Sequence, residues 1–153
     1  MRRKLPTIAA VIAATAMLVG CGGKKADFDV AVLANDLNTK IGYEDSLMEM
    51  DVDTAGMFLN LSDIAITKAA IYEGSGGTAE EIVVLECATD ADAQKAEQVL
   101  KDRVAEQKES FTDYVQEELP KLDAAVIKVN GKYAVLSVSG SADEAKKIID
   151  SYM

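Results

Sequence analysis

A glycine-centred pair of β-rich runs near the C-terminus most limits what this chain can fold into. Residues 124–129 and 133–138 flank Asn130-Gly131, the dipeptide most typical of a two-residue β-hairpin. The same pattern occurs earlier, in the runs 64–72 and 80–88 around the stretch GSGG at 74–77. Because hairpins join antiparallel strands, the sequence predicts an antiparallel sheet of four strands.

Each hairpin is followed by a helical pattern. Residues 90–111 predict a long helix with an apolar inner stripe at helical spacing, formed by Ala93, Ala96, Leu100, Val104, Gln107 and Phe111. A last helix begins at Ser141, which has Glu144 at capping-box spacing. We therefore predict an α+β fold in which helices pack on one face of the four-stranded sheet.

Shorter helices are predicted around this framework. A first helix begins at Asp27 or Asp29 and ends at Gly42, because both aspartates are good N-caps and glycine often terminates helices. A short helix follows Asp53, and a helical turn over residues 113–119 stops before Pro120.

The N-terminus has the layout of a secretory signal. Three positive charges at Arg2, Arg3 and Lys4 precede an apolar stretch over residues 5–20. This stretch is short for a membrane span, which needs about 20 apolar residues. We predict a signal peptide over 1–20, a lipidated cysteine with a short tether over 21–26, and a single domain over 27–153.

Cys21 is the predicted attachment point for a lipid. The stretch Leu18-Val19-Gly20-Cys21 resembles the lipobox of bacterial lipoproteins, in which the thiol receives a diacylglyceryl group and the signal is cut directly before it. A metal site would need further cysteine or histidine ligands at set spacing, and the chain has no histidine. The expected location is the extracytoplasmic face of the cell membrane, with no cofactor besides the covalent lipid.

The second cysteine, Cys87, lies in the predicted strand of the first hairpin. The alternation of IVVLECA at 82–88 puts Cys87 on the face of Val83 and Leu85, so we expect it to be buried and inert; a reactive or intermolecular thiol is the alternative.

The net charge of the chain is −10, and loss of a signal carrying only basic charges makes the remaining chain more acidic. We expect no nucleic-acid partner, because phosphates would repel such a chain.

The sequence contains only incomplete matches to phosphate-binding, calcium-binding and acid/base catalytic motifs. The stretch 74–77 lacks the helix entry that a phosphate loop requires and is interpreted as a hairpin turn. Asp51 and Asp53 resemble the start of a calcium loop but lack ligands further on, so Asp53 is interpreted as a helix N-cap and no metal site is predicted. The acidic pairs Glu80-Glu81 and Glu117-Glu118 could supply an acid and a base, but neighbours on a strand point to opposite faces.

Three motifs carry a resemblance to a known family. They are an Ala-x-Glu entry to a strand, a helix-end Gln followed by a Tyr, and a Gly-x-Tyr hairpin: Ala79 and Glu81, Gln107 and Tyr114, Gly131 and Tyr133. Over residues 35–149 the chain resembles domain-of-unknown-function family 4358, a group of bacterial lipoproteins. The family has a proline soon after the tyrosine, where this chain has Val115-Gln116. No functional residues are established for this family, so the resemblance assigns none to this chain.

These observations favour a membrane-anchored, non-catalytic binding or accessory module of the cell envelope. Its partner would be a neighbouring envelope protein or a surface polymer. The first alternative is a small envelope hydrolase or transferase that uses carboxylates such as Glu81, although no catalytic residue is assigned. The second is a solute-binding lipoprotein, although two-lobed binders are usually longer.

Overall fold

Five antiparallel strands form the sheet at the centre of residues 25–153, which are the residues that the computed structural model describes. The strands are β1 Met48–Met50, β2 Ile66–Glu73, β3 Glu81–Cys87, β4 Val126–Asn130 and β5 Tyr133–Val138. The helices are α1 Val30–Lys40, α2 Val52–Ala55, α3 Asp90–Thr112, α4 Leu119–Asp123 and α5 Ala142–Tyr152. A short 3-10 helix, Gln116–Glu118, precedes α4.

The strand order is β1-β2-β3-β5-β4, so both predicted hairpins are confirmed and β3 lies at the centre. The prediction of four strands is wrong, because β1 adds a fifth strand at the edge of the sheet. Met48 pairs with Glu73, and Met50 pairs with Ile71. At three residues β1 is too short to show an alternating pattern in the sequence.

Helices cover both faces of the sheet, which corrects the prediction of a single covered face. One apolar core joins α1 and α5 to Ile82 and Val84, and a second core joins α3 to Val83 and Leu85. Because successive strand residues point to opposite faces, a central strand that is apolar at every one of these positions must be covered on both sides. The six residues predicted as the inner stripe of α3 are its buried residues.

Aspartate caps start two of the helices. Asp29 is the N-cap of α1, as predicted, and its carboxylate accepts a hydrogen bond from the backbone N–H of Ala31. Asp51, rather than the predicted Asp53, caps α2 and accepts from the N–H of Thr54 at 2.8 Å. Asp53 instead lies in the first turn of α2, where its charge favours the helix dipole.

Two local predictions about helix ends are wrong, and a third is displaced by two residues. Pro120 lies in the first turn of α4 instead of stopping a helix, since proline lacks an N–H that this turn would leave unpaired anyway. Ser141 precedes α5, but its side chain makes no capping hydrogen bond; its carbonyl accepts from the N–H of Glu144 at 3.1 Å. The first helix ends at Lys40, two residues before the predicted Gly42.

The antiparallel topology gives the domain two distinct ends. At the N-terminal end, Lys25 pairs with Asp90 at 2.9 Å and the ring of Phe28 stacks on Tyr133 at 4.1 Å. The C-terminus meets the β4–β5 turn there, with Asn130 Nδ2 donating to the Met153 carbonyl. The opposite end, called the loop end, consists of the connections 41–47, 74–80, 113–118 and 139–141.

Cys87 is fully buried, and burial, with Asp92 and Glu86 nearby, raises the pKa of its thiol to about 11. In a Cys21→Ser chain, where Cys87 is the only thiol, we expect no alkylation by iodoacetamide at pH 8 in the folded state, because little thiolate exists and the sulfur is inaccessible. Mass spectrometry should show one adduct only after denaturation in guanidinium. Complete labelling of the folded protein would contradict this expectation.

Candidate functional site

A buried lysine holds together the carboxylates of the loop end. Lys121 Nζ lies 3.0 Å from Glu118 Oε1, 3.2 Å from Glu44 Oε2 and 3.3 Å from Glu80 Oε1. The Lys121 side chain is 9% exposed and that of Glu80 is fully buried. Burial disfavours the ammonium, but hydrogen bonds to Glu118 and Glu44 and the charge of Glu80 outweigh it and raise the pKa of Lys121. We call these four residues the lysine cluster.

Local structure brings these residues together from separate connections. The 3-10 helix and α4 place Glu118 and Lys121 three residues apart on one face, with Pro120 fixing the backbone between them. Glu80 directly precedes β3, and Glu44 follows α1. The cluster is therefore a tertiary arrangement that no single sequence motif encodes.

Each buried carboxylate also binds backbone groups of a neighbouring loop. Glu80 Oε2 accepts from the N–H groups of Glu44 at 2.8 Å and Asp45 at 3.0 Å. Glu118 Oε2 accepts from the N–H of Ala79 at 2.9 Å. Hydrogen bonds to a charged acceptor are stronger than neutral ones, so the cluster fixes three connections relative to one another.

Asp45 extends this arrangement to the tip of the β2–β3 hairpin. Its Oδ2 accepts from the Ser75 N–H and the Ser75 hydroxyl, both at 2.7 Å, and these bonds lower the pKa of Asp45. A Cβ on Gly74 would lie 2.7 Å from the same oxygen. Glycine at position 74 therefore allows the close approach of the two loops.

A second buried group lies between the end of the β2–β3 hairpin and α3. Arg103 donates from Nε to Glu81 Oε2 at 3.1 Å and from Nη2 to Glu73 Oε1 at 2.6 Å. Gln107 Nε2 also donates to Glu81 Oε2, at 2.9 Å, and the guanidinium lies 4.4 Å from the centre of the Phe58 ring. We call this set the arginine cluster.

Glu81 is the most perturbed carboxyl group here. Burial, partly opposed by Arg103 and reinforced by Glu73, raises the pKa of Glu81 to about 7. Its side chain is fully buried, so in this conformation the carboxyl touches no substrate. Glu80 and Glu81 enter different clusters, as expected for neighbours whose side chains diverge at the start of a strand.

The remaining predictions concern the lipid-attachment cysteine, the glycine-rich stretch, metal binding and membrane spans. Cys21 and the predicted signal and tether up to residue 24 lie outside the described residues. The glycine-rich stretch 74–77 is the β2–β3 connection, with Gly76 at a φ of +88°. Within residues 25–153 no group of three or more His, Cys, Asp or Glu side chains is arranged to hold a metal ion. No helix in this part of the chain has the length and apolar character needed to cross a membrane.

Sequence reasoning missed both cations that organise the clusters. Arg103 lies between Leu100 and Gln107 at helical spacing, at the border of the inner stripe of α3. The helix also directly follows the strand that starts with Glu81. A long cationic side chain at the edge of its buried stripe is a signal that could have suggested the pairing of Arg103 with Glu81. Lys121 had no comparable signal, because its partners come from distant segments.

Exposed acidic, hydroxyl and aromatic side chains lie on three connections of the loop end. The Tyr114 side chain is 73% exposed and that of Glu44 is 70% exposed. Ser75 and Glu117 are also exposed. We call these four residues the loop-end surface. The lysine cluster ties down the backbone of Glu44 and the side chain of Glu118, which directly follows Glu117, so part of this surface rests on fixed loops.

One comparison with known proteins finds a match. A family model described as a domain of unknown function, DUF4358, matches residues 40–139. This range contains the lysine cluster, the arginine cluster and all five strands. Neither the curated proteins nor the solved structures contain a significant match.

Proposed function

We propose, for this chain that belongs to the DUF4358 family, a membrane-anchored, non-catalytic binding or accessory module on the extracytoplasmic face of the cell envelope. Its lipid anchor is the diacylglyceryl group on Cys21. Its partner is a neighbouring envelope protein or a surface polymer, bound at the loop-end surface.

The observation that carries this proposal is the position of the loop-end surface opposite the N-terminal end. Strand β3 runs between the two ends, and its seven residues span about 23 Å at about 3.3 Å per residue. A domain anchored through its N-terminus would therefore present Glu44 and Tyr114 away from the bilayer, toward other envelope components.

The short distance between Cys21 and the domain supports the same orientation. Lys25 already pairs with Asp90. Because extended residues span at most about 3.6 Å each, Lys25 lies within about 15 Å of Cys21 whatever path the chain takes. A lipid on Cys21 would thus hold the N-terminal end close to the headgroups, and two acyl chains give stable anchoring.

The chemistry of the clusters favours binding over catalysis. Lys121, Arg103 and the buried carboxylates are all engaged in fixing the loops. The loop-end surface that they support offers carboxylates, a hydroxyl and an exposed aromatic ring, groups that recognise a cationic or hydroxylated partner. Loops held on a rigid sheet are a common location for binding residues.

The test is a crosslinking pull-down of the lipidated protein from its own membrane, read by mass spectrometry against a Cys21→Ala control. We expect one partner, captured by the lipidated protein and lost in the control. Capture of no reproducible protein or polymer would contradict the proposal.

A matched pair of variants assigns the binding surface. The Tyr114→Ala/Glu117→Gln double variant changes the loop-end surface. Val32→Ala/Gln94→Lys, near the N-terminal end, makes the same change in net charge and also truncates an exposed apolar side chain to alanine. The first should reduce capture at least tenfold, while the second should leave it within about twofold. Equal losses in both would refute binding at the loop end.

A further inference from the structure

The edge strand β1 leaves most of β2 without a partner on its outer side. β1 pairs with residues Ile71–Glu73, so the first five residues of β2 have no neighbouring strand there within the described chain. If β1 continued past Met50 in the same register, position 52 would lie opposite Ala69. Instead Asp51 caps α2, so the chain leaves the line of β1, and Val52 and Ala55 of this helix pack against the core beside β2.

A depression lies where that continuation would run. It has a volume of about 450 Å³ and is lined by Glu49, Met50, Asp51, Val52 and Ala69. Val52 also borders a second depression of about 480 Å³, which reaches Asp53, Met57 and Leu61. We call the two together the edge groove.

The edge groove combines an apolar lining with unpaired acids. Met50, Val52 and Leu61 supply apolar surface, and no basic residue lines either depression. Glu49 and Asp53 are exposed, and within residues 25–153 their carboxylates make no ion pair and accept no side-chain hydrogen bond. The acids of the two clusters, in contrast, each form an ion pair with Lys121 or Arg103.

We propose that the edge groove binds an extended, lysine- or arginine-bearing segment of a partner protein, which continues the line of β1 along β2. Alternate side chains of such a segment would reach Met50 and Val52, while the cationic ones meet Glu49 and Asp53. Main-chain pairing with a sheet edge supplies affinity, and the side chains supply specificity.

The acidic lining of the edge groove favours a cationic segment of a partner protein over a second copy of this chain. A second copy of this chain would bring the same acids against each other, and the whole chain carries a net charge of −10. The irregular register between Ile66 and Lys68, and the exposed lysine itself, limit pairing to the part of β2 beside Met50. The bound segment is therefore short, and its affinity should be micromolar or weaker.

The test uses the full chain in detergent and two capped seven-residue peptides as probes. One alternates lysine and valine, and the other has glutamate in place of lysine. Fluorescence anisotropy should show saturable binding of the lysine peptide and at least tenfold weaker binding of the glutamate peptide. Equal affinities, or no binding of the lysine peptide at millimolar concentration, would overturn the proposal.

Variants separate groove binding from general attraction to an acidic protein. Glu49→Gln/Asp53→Asn should weaken binding of the lysine peptide at least tenfold, whereas Glu109→Gln/Asp143→Asn, an equal charge change elsewhere, should change it less than twofold. A proline at the centre of the peptide should also weaken binding, because it removes a main-chain donor. Similar effects of both double variants, or an unchanged affinity of the proline peptide, would refute strand pairing in the groove. None of these outcomes depends on the membrane anchor.

Discussion

Replacing Lys121 with methionine is expected to lower the free energy of unfolding by about 3–5 kcal/mol, since it leaves buried carboxylates without their cation. Glu80 and Glu118 are the buried members, with side chains 0% and 6% exposed. Chemical denaturation at pH 7, followed by circular dichroism, measures the change. The same substitution should loosen the loop end, which amide hydrogen exchange at Asp45 and Ala79 would report.

Lys101→Met is the matched control. Lys101 pairs with Glu97 at 2.7 Å on the surface of α3, with its side chain 52% exposed. An exposed pair one helical turn apart contributes at most about 0.5 kcal/mol. Equal effects of the two substitutions would show that the lysine cluster does not hold the loop end.

Replacing Glu81 with glutamine should remove a pH dependence of stability. The pKa of Glu81 is about 7 in the folded protein, above its ordinary value of 4.5, mainly because of burial. Between these values the folded state binds more protons than the unfolded state, so stability falls as pH rises through this window. Ionisation of the buried Glu81 carboxyl therefore lowers the free energy of unfolding by about 3 kcal/mol. This loss is absent below pH 4.5 and complete above pH 7.

The measurement compares both proteins by urea denaturation from pH 4.5 to pH 8. Relative to the wild type, Glu81→Gln should gain about 3 kcal/mol across this range, whatever its offset at acid pH. Glu109→Gln, at an exposed position on α3, should show a flat difference. A flat difference for Glu81→Gln as well would mean that its carboxyl titrates normally.

The parts of the fold that the sequence predicts are those encoded by local patterns. Asn130-Gly131 defines the β4–β5 hairpin, with Gly131 at a φ of +56° that suits glycine. The apolar stripe of α3 fixes which of its faces is buried. Both patterns are periodic over many residues or use a turn with strict backbone requirements.

The parts that the sequence does not predict depend on distant segments. The strand β1 exists because Met48–Met50 meets the edge of β2, and three residues carry no usable periodicity. The second covered face follows from tertiary packing of α1 and α5. The lysine cluster joins Glu44, Glu80 and Lys121, which no sequence spacing relates.

The proposed function requires that the anchored protein bind its partner through the loop-end surface. Photo-crosslinking of the lipidated protein in its own membrane tests it directly, with benzoylphenylalanine placed at position 114 in one chain and at position 32 in another. We predict a single crosslinked partner from Tyr114→benzoylphenylalanine and none from the Val32 replacement. Crosslinks from position 32 alone, or from neither position, would contradict the account.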